Sequence, residues 1–314
     1  MKVIRGLTNC RPEHKNGVLT IGNFDGLHPG HQKMLQTLGS EAERLDTHST
    51  LMTFEPLPRE YFTPDNTAAR LMSRHEKIRT LAQSAEDIRP DHLLFLNFNK
   101  ALATMTASQF VEDILIDTLA IRSLIIGDDF RFGCDRRGDL ALLQQYSQQG
   151  HFSIISIESH CIDKQRVSST LIREALANDL LAEADKMLGR RYTICGRVSH
   201  GAKRGRSIGF PTANIHLKRR QTPLQGVYSV TMHSDKYGDV HGVANIGRRP
   251  TVDGENLQLE VHLFDFNDSL YGEQVCVSFQ HKIRDEKKFD SFEELKQQIE
   301  RDSEEARKRL LRSE

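Results

Sequence analysis

The sequence predicts an α/β protein of two domains: a parallel sheet covered by helices over residues 1–187, then an antiparallel β-barrel with a long terminal helix over residues 188–314. Three observations carry this expectation. In the first part, short apolar runs alternate with amphipathic helical runs, the pattern of parallel strands joined by crossover helices. In the second, β-rich runs follow one another with Gly, Asp and Asn between them and no helix until the end, which is how a small barrel reads. The length, 314 residues, exceeds what one hydrophobic core usually supports.

Taken in order, Val18-Leu19-Thr20-Ile21 reads as a short buried strand. Residues 32–45 read as a helix with Met34, Leu35, Leu38, Ala42 and Leu45 at helical spacing. A strand over 50–54, a helix over 74–84, a strand over 93–96, a helix over 108–119, a strand over 123–127, a helix over 139–149 and a strand over 152–156 complete the alternation. A sheet connected in this way is covered on both faces and binds ligands beyond the carboxyl ends of its strands. The pattern changes near residues 186–191: a helical piece over 180–188 ends at Gly189, a suitable C-cap, and Arg190-Arg191 reads as exposed linker. Strands are expected over 192–198, 226–232, 240–246, 257–264 and 274–279. The chain closes on a helix opened by the capping box Ser291-Phe292-Glu293-Glu294, with Leu295, Ile299, Ala306 and Leu310 as its apolar stripe.

Composition narrows the class without fixing the chemistry. Lys plus Arg equals Asp plus Glu at 43 each, so no global field draws the chain to nucleic acid or to a membrane surface. Met1-Lys2-Val3-Ile4-Arg5 opens no apolar leader, and no apolar stretch approaches bilayer length. The five cysteines, Cys10, Cys134, Cys161, Cys195 and Cys276, are scattered, odd in number and without a Cys-x-x-Cys pair. That usage fits a reducing cytoplasm and argues against a disulfide framework or a zinc site.

The sharpest local signal is Gly22-Asn23-Phe24-Asp25-Gly26-Leu27-His28-Pro29-Gly30-His31, directly after the first buried strand. A strand, a Gly-rich turn and a helix together offer free backbone N–H groups and a positive helix end to a phosphate. His28 and His31, three apart, would point both imidazoles at one place and could stabilise charge that builds up in phosphoryl or nucleotidyl transfer. The segment resembles the HxGH signature of the nucleotidyltransferases related to class I aminoacyl-tRNA synthetases. The resemblance implies that the two histidines stabilise the transition state as a nucleophile attacks the α-phosphate of a nucleoside triphosphate. It also implies that Gly22, Asn23, Phe24, Asp25 and Gly30 line the nucleotide site.

The second signature of that superfamily is a hydroxyl-rich loop, and Val167-Ser168-Ser169-Thr170-Leu171-Ile172-Arg173 is similar to it. Alone, Ser-Ser-Thr before a helix is an ordinary N-cap; with the first motif it implies that Ser168, Ser169 and Thr170 contact phosphate and that Arg173 meets the leaving pyrophosphate. Gly127-Asp128-Asp129-Phe130-Arg131-Phe132-Gly133 and Phe54-Glu55-Pro56-Leu57-Pro58-Arg59 also follow strands directly. Both resemble the segments that line the ATP and acceptor pocket, which nominates Asp128, Arg131 and Arg59, although Asp and Gly are common turn residues in any case.

In the second domain Gly201-Ala202-Lys203-Arg204-Gly205-Arg206-Ser207-Ile208-Gly209-Phe210-Pro211-Thr212-Ala213-Asn214 combines permissive glycines with cations, and Thr212 and Asn214 are hard oxygen donors of the kind Mg²⁺ accepts. It is not a Walker A loop, and by composition it could equally be a ligand-free hairpin or a contact for RNA backbone. Its Gly-Phe-Pro-Thr-Ala-Asn core is similar to the riboflavin kinase fold, as are Gly226-Val227-Tyr228, Gly242-Val243-Ala244-Asn245-Ile246-Gly247, Leu259-Glu260-Val261-His262-Leu263 and Ile283-Arg284-Asp285-Glu286. The resemblance implies ATP held by Gly201, Lys203, Gly209 and Pro211, magnesium held by Thr212 and Asn214, Glu260 as the base for the riboflavin 5′-hydroxyl, and Arg284 near the flavin. Strand alternation puts Leu257, Leu259, Val261 and Leu263 on one face and leaves Glu260 and His262 on the other.

Together the two signatures span nearly the whole chain in the order of the bifunctional prokaryotic riboflavin kinase/FAD synthetases. The expectation is phosphorylation of riboflavin to FMN, then adenylylation of FMN to FAD with release of pyrophosphate. ATP and Mg²⁺ would serve both steps, in the cytoplasm, with no nucleic-acid or membrane partner. Two alternatives remain at this point: another phosphate acceptor at the HxGH site, or a flavin- or RNA-binding regulator that has lost catalysis.

Overall fold

The computed structural model describes all residues except 65–67, 163–164, 200–208, 218, 220, 252–253 and 312–314. Packing divides the chain into two compact units, Met1–Ala68 with Arg74–Ser168, and Ala69–Ser73 with Ser169–Glu314.

The first unit is built on a six-stranded parallel sheet in the order β1-β4-β3-β2-β5-β6. Its strands are β1 (Lys2–Arg5), β2 (Val18–Ile21), β3 (Ser49–Phe54), β4 (His92–Leu96), β5 (Ser123–Gly127) and β6 (Ser153–Ile157). The central strands are buried along almost their whole length, whereas edge strands β1 and β6 are largely exposed. This is the burial expected of a sheet with helices on both faces. The core joins Leu19, Ile21, Met52, Leu94, Leu124 and Ile126 to Phe110, Ile114 and Leu143 of the covering helices.

The helices follow the apolar spacing. Helix α1 (Pro29–Arg44) starts at a proline in its first turn and buries Leu35, Leu38 and Ala42. It also buries Glu41, whose carboxylate takes Arg44 Nε at 2.7 Å and is held below the usual range chiefly by that contact. Between β3 and β4 lie α2 (Pro58–Phe62) and α3 (Arg74–Gln83); between β4 and β5 lie α4 (Lys100–Thr104) and α5 (Ala107–Gln109), which continues as a π-helix over Phe110–Thr118. Helix α6 (Leu140–Gln148), N-capped by Asp139, leads to β6. Edge strand β1, α2 and α4 are too short to carry a period and were not legible in the sequence.

In the second unit, α7 (Ser169–Ala177) and α8 (Leu181–Leu188) precede a closed barrel in the order β10-β13-β12-β11-β14-β9. The barrel strands are β9 (Thr193–Ser199), β10 (Ala213–His216), β11 (Gly226–Ser234), β12 (Gly238–Thr251), β13 (Gly254–Leu263) and β14 (Gln274–Arg284); the labels β7 and β8 belong to the two-residue arms Cys161–Ile162 and Gln165–Arg166. Every pairing in the barrel is antiparallel. Gly189 caps α8 in the left-handed region at φ 70°. Ile194, Ile215, Val230, Ile246, Leu259, Val261, Val277 and Phe279 are buried in the barrel. The terminal helix Phe292–Leu311 lays Ala306 and Leu310 against Val227, Val243 and Phe264. Its cap is half as expected: the Glu294 N–H donates to Ser291 Oγ at 3.2 Å, but the Glu294 carboxylate accepts from the Asp290 N–H at 3.3 Å rather than from that of Ser291. The barrel strand over 213–216 was missed because its four residues carry little alternation.

One expectation is overturned. Cys195 and Cys276 form a disulfide across the directly paired strands β9 and β14. Their separation of 81 residues hid the pair, because only the barrel register sets the two side chains opposite each other. Cys10, Cys134 and Cys161 remain free.

Candidate active sites

In the first unit the chain runs from β2 leftward to β3 and β4 and then rightward to β5, so the reversal of strand order falls between β2 and β5. Such a switch point opens a crevice at the carboxyl ends of its strands. The three segments expected to carry the chemistry leave the carboxyl ends of three adjacent strands: Glu55–Arg59 from β3, Gly22–His31 from β2 and Asp128–Arg131 from β5.

The Gly22–Gly26 turn is tightly set. Phe24 has φ +45°, Gly26 φ +90° and Leu27 φ +47°, and Phe24, Asp25, Leu27 and His28 are all buried. His28 is the N-cap of α1, its carbonyl taking the His31 N–H at 2.8 Å and the Gln32 N–H at 3.1 Å. The imidazoles of His28 and His31 stack with centroids 3.7 Å apart and planes at 19°, and Phe24 lies 4.7 Å from His31 on centroids. Gly30 leaves room beside them, since a Cβ there would crowd the His28 ring and His160 Cβ at 3.2 Å. Burial first, then His28, then Lys77 push the His31 pKa well below its ordinary value. His31 is therefore neutral near pH 7, its ring carrying one N–H.

Lys77 was not singled out from sequence. It lies on α3 with 4% of its surface exposed, and its amine donates to the Asn23 carbonyl at 2.6 Å and to Thr53 Oγ1 at 3.2 Å. A lysine on the buried face of an otherwise amphipathic helix was the available signal. Phe98 was missed as well. It packs edge-on against Phe54, Tyr61 and Phe62 at 5.5–5.8 Å, and Phe62 keeps 61% of its surface exposed.

The other nominated residues of this half have definite partners. Asp128 accepts from the Ser159 hydroxyl at 2.8 Å and its N–H at 3.3 Å, and the hydroxyl chiefly holds the Asp128 carboxyl below the usual range. Arg131 pairs with Asp139 at 2.9 Å, and Arg59 is exposed on α2. Ser168 closes the first unit, whereas Ser169, Thr170 and Arg173 belong by packing to the second. There Arg173 Nε donates to the Ala69 carbonyl at 2.7 Å.

In the barrel, register assembles what sequence could only list. Asn214 of β10 stands directly opposite Glu260 of β13, and Glu260 opposite Asn245 of β12, so the three side chains form a polar row on one face. Gln258 Nε2 donates to Asn214 Oδ1 at 2.6 Å, and Asn214 Nδ2 donates to the Thr212 carbonyl at 3.3 Å. The His262 ring lies 2.9 Å from the Pro211 carbonyl through Nδ1 and packs edge-on with Phe210 at 5.1 Å. This fastens the Gly209–Thr212 segment, with Gly209 at φ +88°, onto β13. Gly201 and Lys203 lie outside the described residues. Arg284 is anchored by the terminal helix: its Nε lies 3.1 and 3.0 Å from the two oxygens of buried Asp302.

Among the described residues no three His, Cys, Asp or Glu side chains are gathered to hold a metal. The oxygen donors Thr212 and Asn214 fit magnesium all the same. Mg²⁺ takes few protein ligands beside phosphate and water, and an amide oxygen that accepts one N–H keeps a second lone pair.

Comparison with known proteins agrees with this division. A family model described as FAD synthetase matches residues 10–171, and one described as riboflavin kinase matches residues 188–310. The bifunctional riboflavin kinase/FMN adenylyltransferase of Haemophilus influenzae is 47% identical over 308 residues, covering 98% of this chain and 98% of that protein. The protein of the same description from Escherichia coli K12 is 46% identical over 303 residues, with 96% of each covered. A crystal structure described as a macrolide-efflux protein from Streptococcus pneumoniae matches with a TM-score of 0.79 and 31% identity over 98% of this chain and 99% of that one. Among the described residues of the present chain, no helix is long and apolar enough to cross a membrane.

Proposed function

We propose a division of labour within the family to which this chain belongs, the bifunctional riboflavin kinase/FMN adenylyltransferases. The chain phosphorylates riboflavin to FMN and adenylylates FMN to FAD, using ATP in both reactions. The residue roles are the proposal, with residues 1–187 taken as the adenylylation domain and 188–314 as the kinase. The break between the two family matches, after residue 171 and before residue 188, supports that boundary.

For adenylylation, a phosphate oxygen of FMN attacks the α-phosphorus of ATP and the bond to pyrophosphate breaks. The His28–His31 stack at the mouth of α1 carries this reading. Two fixed N–H donors at the positive end of a helix meet the charge that grows on the α-phosphate oxygens and need no reorganisation as it grows. Gly22, Asn23, Phe24, Asp25 and Gly30 shape the phosphate cradle; Ser168, Ser169, Thr170 and Arg173 take the leaving pyrophosphate. Arg59, Asp128 and Arg131 orient the acceptor, whose flat ring has the exposed aromatic face of Phe62 to pack on.

For phosphorylation, the riboflavin 5′-hydroxyl attacks the γ-phosphorus, its proton passes to Glu260, and ADP leaves. Gly201, Lys203, Gly209 and Pro211 hold the ATP phosphates, and Arg284 borders the flavin side. Magnesium, when bound, neutralises part of the phosphate charge, with Thr212 and Asn214 as the residues that would hold it. With 43 residues of each charge sign and small-molecule substrates throughout, this reading adds no nucleic-acid or membrane partner, and the cytoplasm is the compartment it assigns.

The test is a time course with riboflavin, ATP and Mg²⁺. FMN should appear first and FAD after it, with pyrophosphate released in step with FAD. FAD without an FMN phase, or adenylylation of another acceptor in preference to FMN, overturns the reading.

A further inference from the structure

The buried amine of Lys77 has no part in either reaction as derived above. Its surroundings are polar by arrangement: Thr53, fully buried, donates to the same Asn23 carbonyl at 3.3 Å that Lys77 grips at 2.6 Å. A side chain needed only to fill that space would be apolar, because desolvating an ammonium is costly and must be offset by partners.

What the amine grips is the phosphate turn itself. Phe24 and Leu27 hold positive φ there, a conformation that residues with side chains keep only under outside restraint. The peptide joining Asn23 and Phe24 is planar and trans, so drawing the Asn23 carbonyl toward Lys77 turns the Phe24 N–H the opposite way. Among the described residues that N–H has no hydrogen-bond acceptor. Successive backbone donors in such a turn form a concavity for an anion. Resting on the reading of Gly22–His31 as the adenylylation site, we propose that Lys77 is a positioning residue for that reaction. Through the Asn23 carbonyl it fixes the turn so that the Phe24 N–H and the stacked histidines face the triphosphate of ATP. Its charge acts in the same direction, since a cation beside His31 disfavours the imidazolium.

The full chain is measured as Lys77→Met and Lys77→Arg, with FMN adenylylation followed from pH 5 to pH 9. Lys77→Met should lower kcat/KM for ATP by about 10²-fold, the scale of a small misplacement of reacting groups, and leave KM for FMN unchanged. Its acid limb should move to higher pH, because His31 then takes a proton more readily. Lys77→Arg should restore the limb and part of the rate. Riboflavin phosphorylation should not change in either variant.

A wild-type kcat/KM for ATP with an unmoved acid limb overturns the inference. So does an equal loss in every parameter with Lys77→Arg no better than Lys77→Met, the mark of a lysine that only supports the fold. Should Lys77→Met lack a cooperative melt of the first unit, Lys77→Gln keeps a donor without the charge, and its acid limb decides in the same way. His28→Ala is run alongside. An inactive His28→Ala beside a fully active Lys77 variant sinks the role of Lys77 alone, whereas adenylylation intact in His28→Ala removes the site reading on which it rests.

Discussion

The phenol of Tyr228, fully buried in the barrel, donates to the Asp179 carboxylate at 2.7 Å, and Lys282 meets the other oxygen of that carboxylate at 2.7 Å. Asp179 sits in the turn between α7 and α8, so these two helices pack as part of the barrel unit. Asp185 of α8 adds a bond from the Tyr192 N–H at 2.8 Å. Burial and the Asp179 carboxylate push the Tyr228 pKa up, so the phenol remains a donor.

The two boundaries, after residue 168 by packing and after residue 187 by the sequence expectation, make different fragments. Residues 169–314 and 188–314 should both convert riboflavin to FMN and stop there. The shorter one should melt lower, because it loses the Asp179 carboxylate that meets Tyr228 and Lys282 and the Asp185 acceptor of the Tyr192 N–H, each hydrogen bond being worth about 0.5–1.5 kcal/mol. Residues 1–168 should fold without making FAD, having lost Ser169, Thr170 and Arg173. Equal melting temperatures, or FAD synthesis by residues 1–168, would contradict this.

Replacing His28 or His31 with Ala should slow FAD formation from FMN by about 10²–10³-fold, the usual loss for one preorganised donor to a developing oxyanion. Riboflavin phosphorylation should be unchanged, and FMN should still bind, because the role proposed for the imidazoles lies in the transition state. Quench-flow with supplied FMN reads the first effect and flavin fluorescence titration the second. Unchanged adenylylation excludes both rings from the chemistry.

Glu260→Gln keeps the shape at the centre of the Asn214–Glu260–Asn245 row and removes the basicity. Single-turnover FMN formation should fall by roughly 10²–10⁴-fold if proton transfer limits the step, and by less if the transition state is loose. FAD formation from supplied FMN should not change. A near wild-type phosphorylation rate would leave Glu260 as an ordinary polar strand residue.

Stability should fall on mild acidification. His14, His48 and His92 pack edge to edge, with His92 4.9 Å from His14 and 4.7 Å from His48 on ring centroids. His14 Nε2, His48 Nε2 and His92 Nδ1 are buried without hydrogen-bond partners. Burial, then His48 and His14, push the His92 pKa down to about 4, against the raising effect of Asp91, and burial lowers His14. A histidine depressed in the fold takes its proton more readily when unfolded, so its contribution is whole above the ordinary histidine range and is lost as pH falls from about 6.5 toward 4. Melting at pH 8 and pH 5 should differ clearly in the wild type and less in His92→Phe. Parallel pH curves would contradict this origin.

Thiol labelling tests the disulfide. Alkylation of the denatured, unreduced protein should mark Cys10, Cys134 and Cys161 only, and reduction should add Cys195 and Cys276. Reduction should also lower barrel stability, by up to about 4.5 kcal/mol for a separation of 81 residues. Labelling of all five cysteines without reductant would show that the bond does not form.

Legibility followed length and locality. The central strands and long helices were readable because a buried sheet needs continuous apolar runs and a covering helix needs a 3.6-residue stripe, as in Leu35, Leu38 and Ala42. The short elements β1, α2, α4 and β10 are held by partners distant in sequence and carry no period of their own. Within the sites, Gly22–His31 was visible because turn, cap and both imidazoles fall within one contiguous stretch. Lys77 was not, because its meaning is a contact with Asn23, 54 residues away.

The sequence by itself determined the two classes of fold, the order of the two chemistries and the residue types able to perform them. The fold classes follow from local composition and periodicity, whereas the chemistries and their order are what the resemblance of the two motif sets to known families implies. The tertiary structure alone decided that Glu260 faces Asn214 and Asn245, that Arg284 pairs with Asp302, that Cys195 meets Cys276, that α7 and α8 pack with the barrel, and that buried Lys77 grips the Asn23 carbonyl. Each of these is a pairing across strands or helices far apart in the chain. Such pairings are fixed by sheet register and core packing, which the whole fold sets at once and no single segment encodes.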